Sequence, residues 1–216
     1  MKITYTLLIA ALLLALSTKG QQIVKDIDGN SYETIELPNG QVWFLENLRA
    51  SKNPQGEVIE RDCYGGTAAN CNAWGGLYDY ETAVNGADYE STQGICPNGW
   101  HIPSLQEVLA DAKAIGAGIN DADVNASNWT EFKSYISLQY GGKKLPNGSY
   151  VNGDGFDTQW SGAFLYTSTR PSGWINPYGL YMANPDMGGQ DDAASGGTTL
   201  DPPTAKYGIR CKKASR

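Results

Sequence analysis

Four cysteines and a single histidine are the residues of this chain best suited to chemistry, and their spacing limits what that chemistry can be. His101 lies in Trp100-His101-Ile102-Pro103, directly ahead of Ser104-Leu105-Gln106-Glu107. As the only imidazole it would have to serve any Ser-His-Asp triad, and no G-x-S-x-G nucleophile elbow accompanies it. Cys63, Cys71, Cys96 and Cys211 do not have zinc-ligand spacing, and His101 is the only histidine that could join them. An even cysteine count behind an export signal points instead to disulfides. Three pairings are possible. Cys63 and Cys71 share one Gly-rich stretch, CYGGTAANC, and meet easily, which leaves Cys96 for Cys211. Oxidised pairs offer no thiolate for oxidase chemistry.

Acids are plentiful but uninformative. Asp154 with Asp157, and Asp186 with Asp191 and Asp192, are the dense groups. A glycosidase needs two acids across a cleft, a separation that chain spacing does not set, so a solvated loop face is the plainer reading. Asp26, Asp28, Gly29 and Asn30 imitate a calcium loop, but the glycine comes two residues early and Leu37 stands at the final glutamate position. Trp174, Tyr178 and Tyr181 lie in SGWINPYGLYM, between turn residues. Exposed, they form a platform that can stack on sugar rings; alternating inward, they are an ordinary strand. These residues are the ligand-binding candidates, with Asp186 beside them.

Residues 1–20 read as a secretory signal peptide: Lys2 is followed by the uncharged run Leu7–Leu16, too short to span a bilayer, and then by small residues. The expected mature chain starts near Gln21, so residues 21–216 form one domain. Losing Lys2 and Lys19 takes 16 cations to 14 against 23 acids, a formal charge of −9. A chain so acidic is a poor partner for nucleic acid, which requires a basic patch. With the signal removed no membrane span is expected, and the compartment is exported: periplasm, cell surface or exterior.

The elements that must position these residues are short. Residues 23–45 read as strands, with hairpin turns at Asp28-Gly29 and Pro38-Asn39-Gly40. Leu77, Tyr80, Glu81 and Val84 predict a short helix within 75–84. Ser104 and Glu107 form a capping box opening a helix with an apolar stripe at Leu105, Val108, Leu109, Ala112 and Ile115, stopped by Gly116. Trp129, Phe132, Ile136 and Tyr140 predict a third helix over 128–140. From Lys143 onward short strands alternate with turns. Residues 184–204 read as a long polar surface loop, and Tyr207–Lys212 as the last strand.

Five segments in one order resemble a known family. They are VKDIDGNSYETIEL with QVWFLENLRA, CYGGTAANCNAWGGLYDY, GICPNGWHIPSLQEV, GGKKL with DGFDTQWSGAF, and YTSTR with the closing YGIRCKK. The chain resembles the Fibrobacter succinogenes major paralogous domain of exported bacterial proteins. The resemblance implies an α+β, C-type lectin-like fold, distantly similar to formylglycine-generating enzymes. Such a fold has a small, twisted, mainly antiparallel sheet, two to three helices, long loops and, here, two disulfides. It makes His101 a structural residue at a helix entrance. C-type lectins hold calcium through a Glu-Pro-Asn-like loop motif; Asn184-Pro185-Asp186 occupies a similar region, the Trp-Asn-Asp partner motif is absent, and Asp186, Asp191 and Asp192 remain weak calcium candidates. The expectation is a non-enzymatic recognition or adhesion domain for a surface or dietary polysaccharide, with no cofactor unless calcium. The alternative is a structural or accessory subunit of a surface protein assembly.

Overall fold

The hairpin signal at Asp28-Gly29 becomes a turn in the computed structural model, which describes residues 22–153, 162–183 and 196–214. Asp26 accepts from the Asn30 backbone and side-chain amides at 2.9 and 2.8 Å and from the Tyr32 hydroxyl at 2.6 Å, so this acid closes the turn. Gly29 takes φ 84°, a left-handed value that suits glycine. The turn joins β1 (Ile23–Lys25) to β2 (Ser31–Glu36), and Pro38-Asn39-Gly40 then leads into β3 (Val42–Phe44).

There follow α1 (Ala68–Trp74), α2 (Tyr80–Val84), β4 (Trp100–His101), α3 (Leu105–Ala114) and α4 (Thr130–Tyr135). The second half contains β5 (Gly141–Lys144), β6 (Tyr150–Gly153), β7 (Gly162–Tyr166), β8 (Gly179–Ala183), β9 (Gly196–Thr199) and β10 (Lys212–Lys213). The strands form two five-stranded sheets, ordered β1-β2-β3-β10-β4 and β6-β5-β7-β8-β9. Every pairing within them is antiparallel except β5 with β7. The class is α+β, with two disulfides, Cys63–Cys71 and Cys96–Cys211.

Strand β7 divides the interior. Phe164 and Tyr166 enter one core with Tyr32, Phe44, Tyr78, Ile102 and Tyr207. Ala163 and Leu165 enter the other with Trp43, Val108, Trp129, Phe132 and Leu180. This is the period of two expected for a strand buried on both faces. The segment after Ala205 ties the sheets together. Lys206 bridges Lys144, Tyr207 bridges Tyr78 and Gly208 bridges Leu165, before β10 enters the first sheet between β3 and β4. The expected last strand over Tyr207–Lys212 is thus a buried, extended crossing whose regular strand is confined to Lys212–Lys213.

Other boundaries also differ from expectation, each for a local reason. The helix of 75–84 starts only at Tyr80, because Leu77 and Tyr78 are taken by bridges to Asp62 and Tyr207 and Asp79 caps the helix through Thr82 N–H. The 128–140 helix is confined to Thr130–Tyr135, because Ser137 is left-handed at φ 48°. The CYGGTAANC stretch read as loop contains the first turn of α1, with Cys71 on the helix. Within the expected 184–204 loop lies β9. Its glycines permit flush packing: a Cβ on Gly196 would sit 2.6 Å from Trp129 Cδ1, and one on Gly197 would sit 2.0 Å from Asn125 Oδ1.

Candidate functional site

The segment 167–178 connects β7 to β8, and its root is tightly held. Tyr178 N–H donates to Thr169 O and Thr167 N–H to Tyr178 O, at 2.9 and 3.1 Å. Ser168 N–H donates to Pro103 O, Ser168 O accepts the Tyr80 hydroxyl, and Thr169 Oγ1 accepts Leu105 N–H, each at 2.9 Å. Arg170 lies 4.7 Å above the Tyr80 ring and pairs with Glu81 at 2.6 Å. The Ser-Thr-Arg of the YTSTR segment therefore fastens the hairpin to the starts of α2 and α3.

Beyond this root the chain turns through Pro171–Trp174, with Trp174 N–H donating to Pro171 O at 3.0 Å. Trp174 is 59% exposed, Ile175 77% and Leu200 37%. Asn176 Nδ2 donates to Leu200 O at 3.1 Å, joining the tip to the segment after β9. The three candidate aromatics take different places. Trp174 faces solvent and Tyr178 is half-buried at the closing pair. Tyr181 lies on β8, half-buried, with its ring 5.0 Å from Phe164. Asp186, Asp191 and Asp192, like Asp154 and Asp157, lie outside the described residues.

Beside the hairpin, Lys143 Nζ pairs with Asp201 at 2.5 Å and stands 4.5 Å over the Phe164 ring. The Tyr207 hydroxyl also donates to Asp201, and it lies 2.6 Å from Thr199 Oγ1. Burial opposes ionisation of Asp201, but the bonds from Lys143 and Tyr207 outweigh it and hold the carboxyl below its ordinary value. Burial first, and the Asp201 bond second, push the Tyr207 phenol far above its usual range. This group is an anchor for the β9 end, with its charges internally matched.

His101 faces a different assembly. Its Nε2 lies 2.9 Å from Glu107 Oε1, while Glu107 Oε2 accepts from Ser91 Oγ at 2.6 Å and from Ser104 N–H at 2.8 Å. A serine, a histidine and an acid are thus in contact, but in the order Ser-Glu-His. In a triad the imidazole must stand between hydroxyl and acid to take the proton; here the carboxylate does. Glu107 is the N3 residue of the capping box expected from the sequence. Burial resists its ionisation, yet the bonds from His101, Ser91 and Ser104 hold its pKa far below the ordinary glutamate value.

Behind Glu107 lies a feature that sequence reasoning missed. On the closing segment Ala205, Tyr207, Ile209 and Cys211 enter the core, while Lys206, Arg210 and Lys212 occupy the opposite face and are also buried. Lys206 pairs with Glu60 and, at 2.7 Å, with Asp62. Arg210 donates to Asn47 Oδ1, Phe44 O and Ile136 O, and complete burial lowers its pKa to about 9. Lys212 pairs with Asp111 at 2.8 Å, and Asp111 also accepts from Trp43 Nε1 and Asn39 Nδ2. The signal was present as basic residues at every second or fourth position of AKYGIRCKK, on the face opposite the apolar ones. Among the described residues no group of three or more His, Cys, Asp or Glu side chains could hold a metal ion, and no helix is long and apolar enough to cross a membrane.

Comparison with known proteins returned one family and nothing more. Neither the curated proteins nor the solved structures gave a significant match. The model of the Fibrobacter succinogenes major domain matches residues 38–184, from the β2–β3 turn to just past β8. That span is more than half of the chain and includes the capping box, Cys63, Cys71, Cys96 and the whole β7–β8 hairpin; the chain belongs to the Fibrobacter succinogenes major domain family.

Proposed function

We propose that this chain is an exported, non-enzymatic recognition domain that contacts a surface or dietary polysaccharide through the tip of the β7–β8 hairpin. The observation that carries the reading is Trp174: an indole 59% exposed, set on a short tip whose root is fastened to two helices. Leaving a large ring in water is unfavourable by about 25 cal/mol for each Å² of apolar surface, and stacking on a sugar face recovers that energy. A rigid scaffold presenting a loop keeps the ordering cost of binding low. Export rests on the signal-like N-terminus, Lys2 followed by Leu7–Leu16. Asp186, Asp191 and Asp192, outside the described residues, remain the calcium candidates read from the sequence.

The test is a panel of defined glycans probed with and without chelator, using wild type, Trp174→Ala and Tyr178→Ala. Binding that Trp174→Ala loses supports the reading; no glycan bound in either condition ends it. Loss on chelation alone would assign the acidic segment to the site.

A second reading is a protein-binding subunit of a surface assembly. The specific observation in its favour is aliphatic: Ile175, next to Trp174 and 77% exposed, and Leu200, whose carbonyl the tip residue Asn176 bonds, suit an apolar groove better than a sugar. Ile175→Ser separates the two, weakening a protein partner and sparing a glycan.

A further inference from the structure

The edges of the two sheets are not treated alike. On β9, Thr198 N–H is taken by Asn125 Oδ1 at 3.0 Å. Just past β4, Ile102 N–H is taken by Thr92 O at 2.9 Å. Strand β6 lies under the Tyr64 ring, 5.3 Å from that of Tyr150. Strand β1 lacks such cover among the described residues. Asp26 N–H bonds Asn30 O, which fixes the ladder phase: Val24 exchanges bonds with Tyr32, whereas Ile23 and Lys25 turn their amides and carbonyls away from β2. No described residue takes these four groups.

The same edge is apolar and open. Ile23 on the strand is 63% exposed, and Ile27 in the turn that follows it is 50% exposed. A pocket of about 280 Å³ runs along it, lined by Val24, Lys25, Asp26, Ile27, Pro54, Pro97 and Asn98. Natural sheets cover, shorten or charge such edges because an open one templates pairing with another chain.

The charge of the edge decides the occupant. Asp26 is spent on Asn30 and Tyr32, and Asp28 accepts from Ser51 and faces Lys52. On β1 itself the outward charge is Lys25, exposed and without an ion-pair partner among the described residues, a cationic point on a chain of net charge −7; the exposed Glu33 lies on β2, across from Ile23. We propose that the β1 edge binds an extended segment of a partner polypeptide by strand addition, with an apolar side chain in the pocket and a carboxylate against Lys25. Backbone groups of Ile23 and Lys25 supply the hydrogen bonds, and the pocket and Lys25 supply the selectivity.

Two short alternating Val/Thr peptides test this on the purified exported chain, one flanked by glutamates and the other by lysines. The glutamate-flanked peptide is expected to slow amide exchange at Ile23 and Lys25 and to bind about tenfold more tightly than its lysine-flanked counterpart. Lys25→Glu should reverse that preference. Lys25→Pro deletes an outward N–H without touching the Val24–Tyr32 pair, so binding of both peptides should disappear while the unfolding midpoint holds. The proposal is overturned if neither peptide protects β1, or if both bind equally. It is also overturned if β1 becomes protected with rising protein concentration in the absence of peptide, which would assign the edge to a second copy.

Discussion

The face of the closing segment and the tip of the β7–β8 hairpin make opposite use of their residues. Around β10 sit the side chains that look most chemical in the sequence: the only histidine, an acid at a helix start, lysines and an arginine. They are buried or half-buried and each is bonded within the fold: His101 and Lys212 to Glu107 and Asp111, Arg210 to Asn47 and the carbonyls of Phe44 and Ile136, Lys206 to Glu60 and Asp62. The tip holds no catalytic-looking group, only Trp174 and Ile175 on a braced turn, yet it is what a partner can reach. Reactive residue types therefore mark the architecture here, and a plain aromatic marks the surface.

The comparison can be broken most forcefully at the staple. Replacing Cys96 and Cys211 by alanine releases a loop with a sequence separation of 115 and should cost about 4.7 kcal/mol in the chain-entropy model, against about 2.5 kcal/mol for Cys63–Cys71. Urea midpoints of the two double variants measure the difference; no loss from the Cys96/Cys211 variant would mean that the C-terminal crossing is held by its packing and ion pairs alone.

Next in size is Asp111→Ala. It leaves Lys212, whose side chain is 4% exposed, with only the longer 3.4 Å contact to Glu107 and unpairs Trp43 Nε1, so a loss of about 3 kcal/mol is expected. Asp111→Asn should lose somewhat less, since its single amide oxygen can keep one of the two neutral hydrogen bonds, from Trp43 Nε1 or from Asn39 Nδ2. A smaller effect belongs to pH. The folded pKa of Glu107 is depressed, so its contribution is complete above the unfolded glutamate value near 4.5 and fades as pH falls below it. His101, Lys212, Ser91 and Ser104 face this carboxyl. Glu107→Gln keeps the cap, and its unfolding midpoint should vary less than that of wild type between about pH 5 and 2. Asp28, Asp62 and Asp201, also depressed, supply acid dependence that remains in the variant.

At the tip the expected stability effect is the smallest and the functional one the largest. Trp174→Ala should shift stability by no more than about 0.5 kcal/mol, because the ring is mostly in water, while removing ligand binding. A large stability loss would show the indole to be structural and would remove the contrast between the two regions.

Local rules were legible in the sequence. Ser104 and Glu107 form the capping box, Gly116 takes φ 89° where the helix was expected to stop, and the four cysteines pair as their loop placement suggested. Hairpin turns fell at both predicted positions. These features depend on backbone geometry within a few residues, or on a covalent bond with few alternatives. Of the candidate site, Trp174 could be named, but its exposure depends on how Tyr80, Pro103 and Leu105 hold the root, residues far away in the chain.

Other features were decided only when distant segments met. Strand β9 looked like loop, because glycine is a poor strand former until Trp129 and Asn125 demand the space that a Cβ would fill. Helix α4 ended early because Ser137 turned left-handed, and periodicity does not register one backbone angle. The Asp111–Lys212 pair joins the middle of the chain to its closing segment, and a charge reads as solvated until its partner arrives in the same low-dielectric space. Short-range hydrogen bonding and periodicity determined the caps, turns and pairings; long-range packing decided which charges were buried and which ring was left in water.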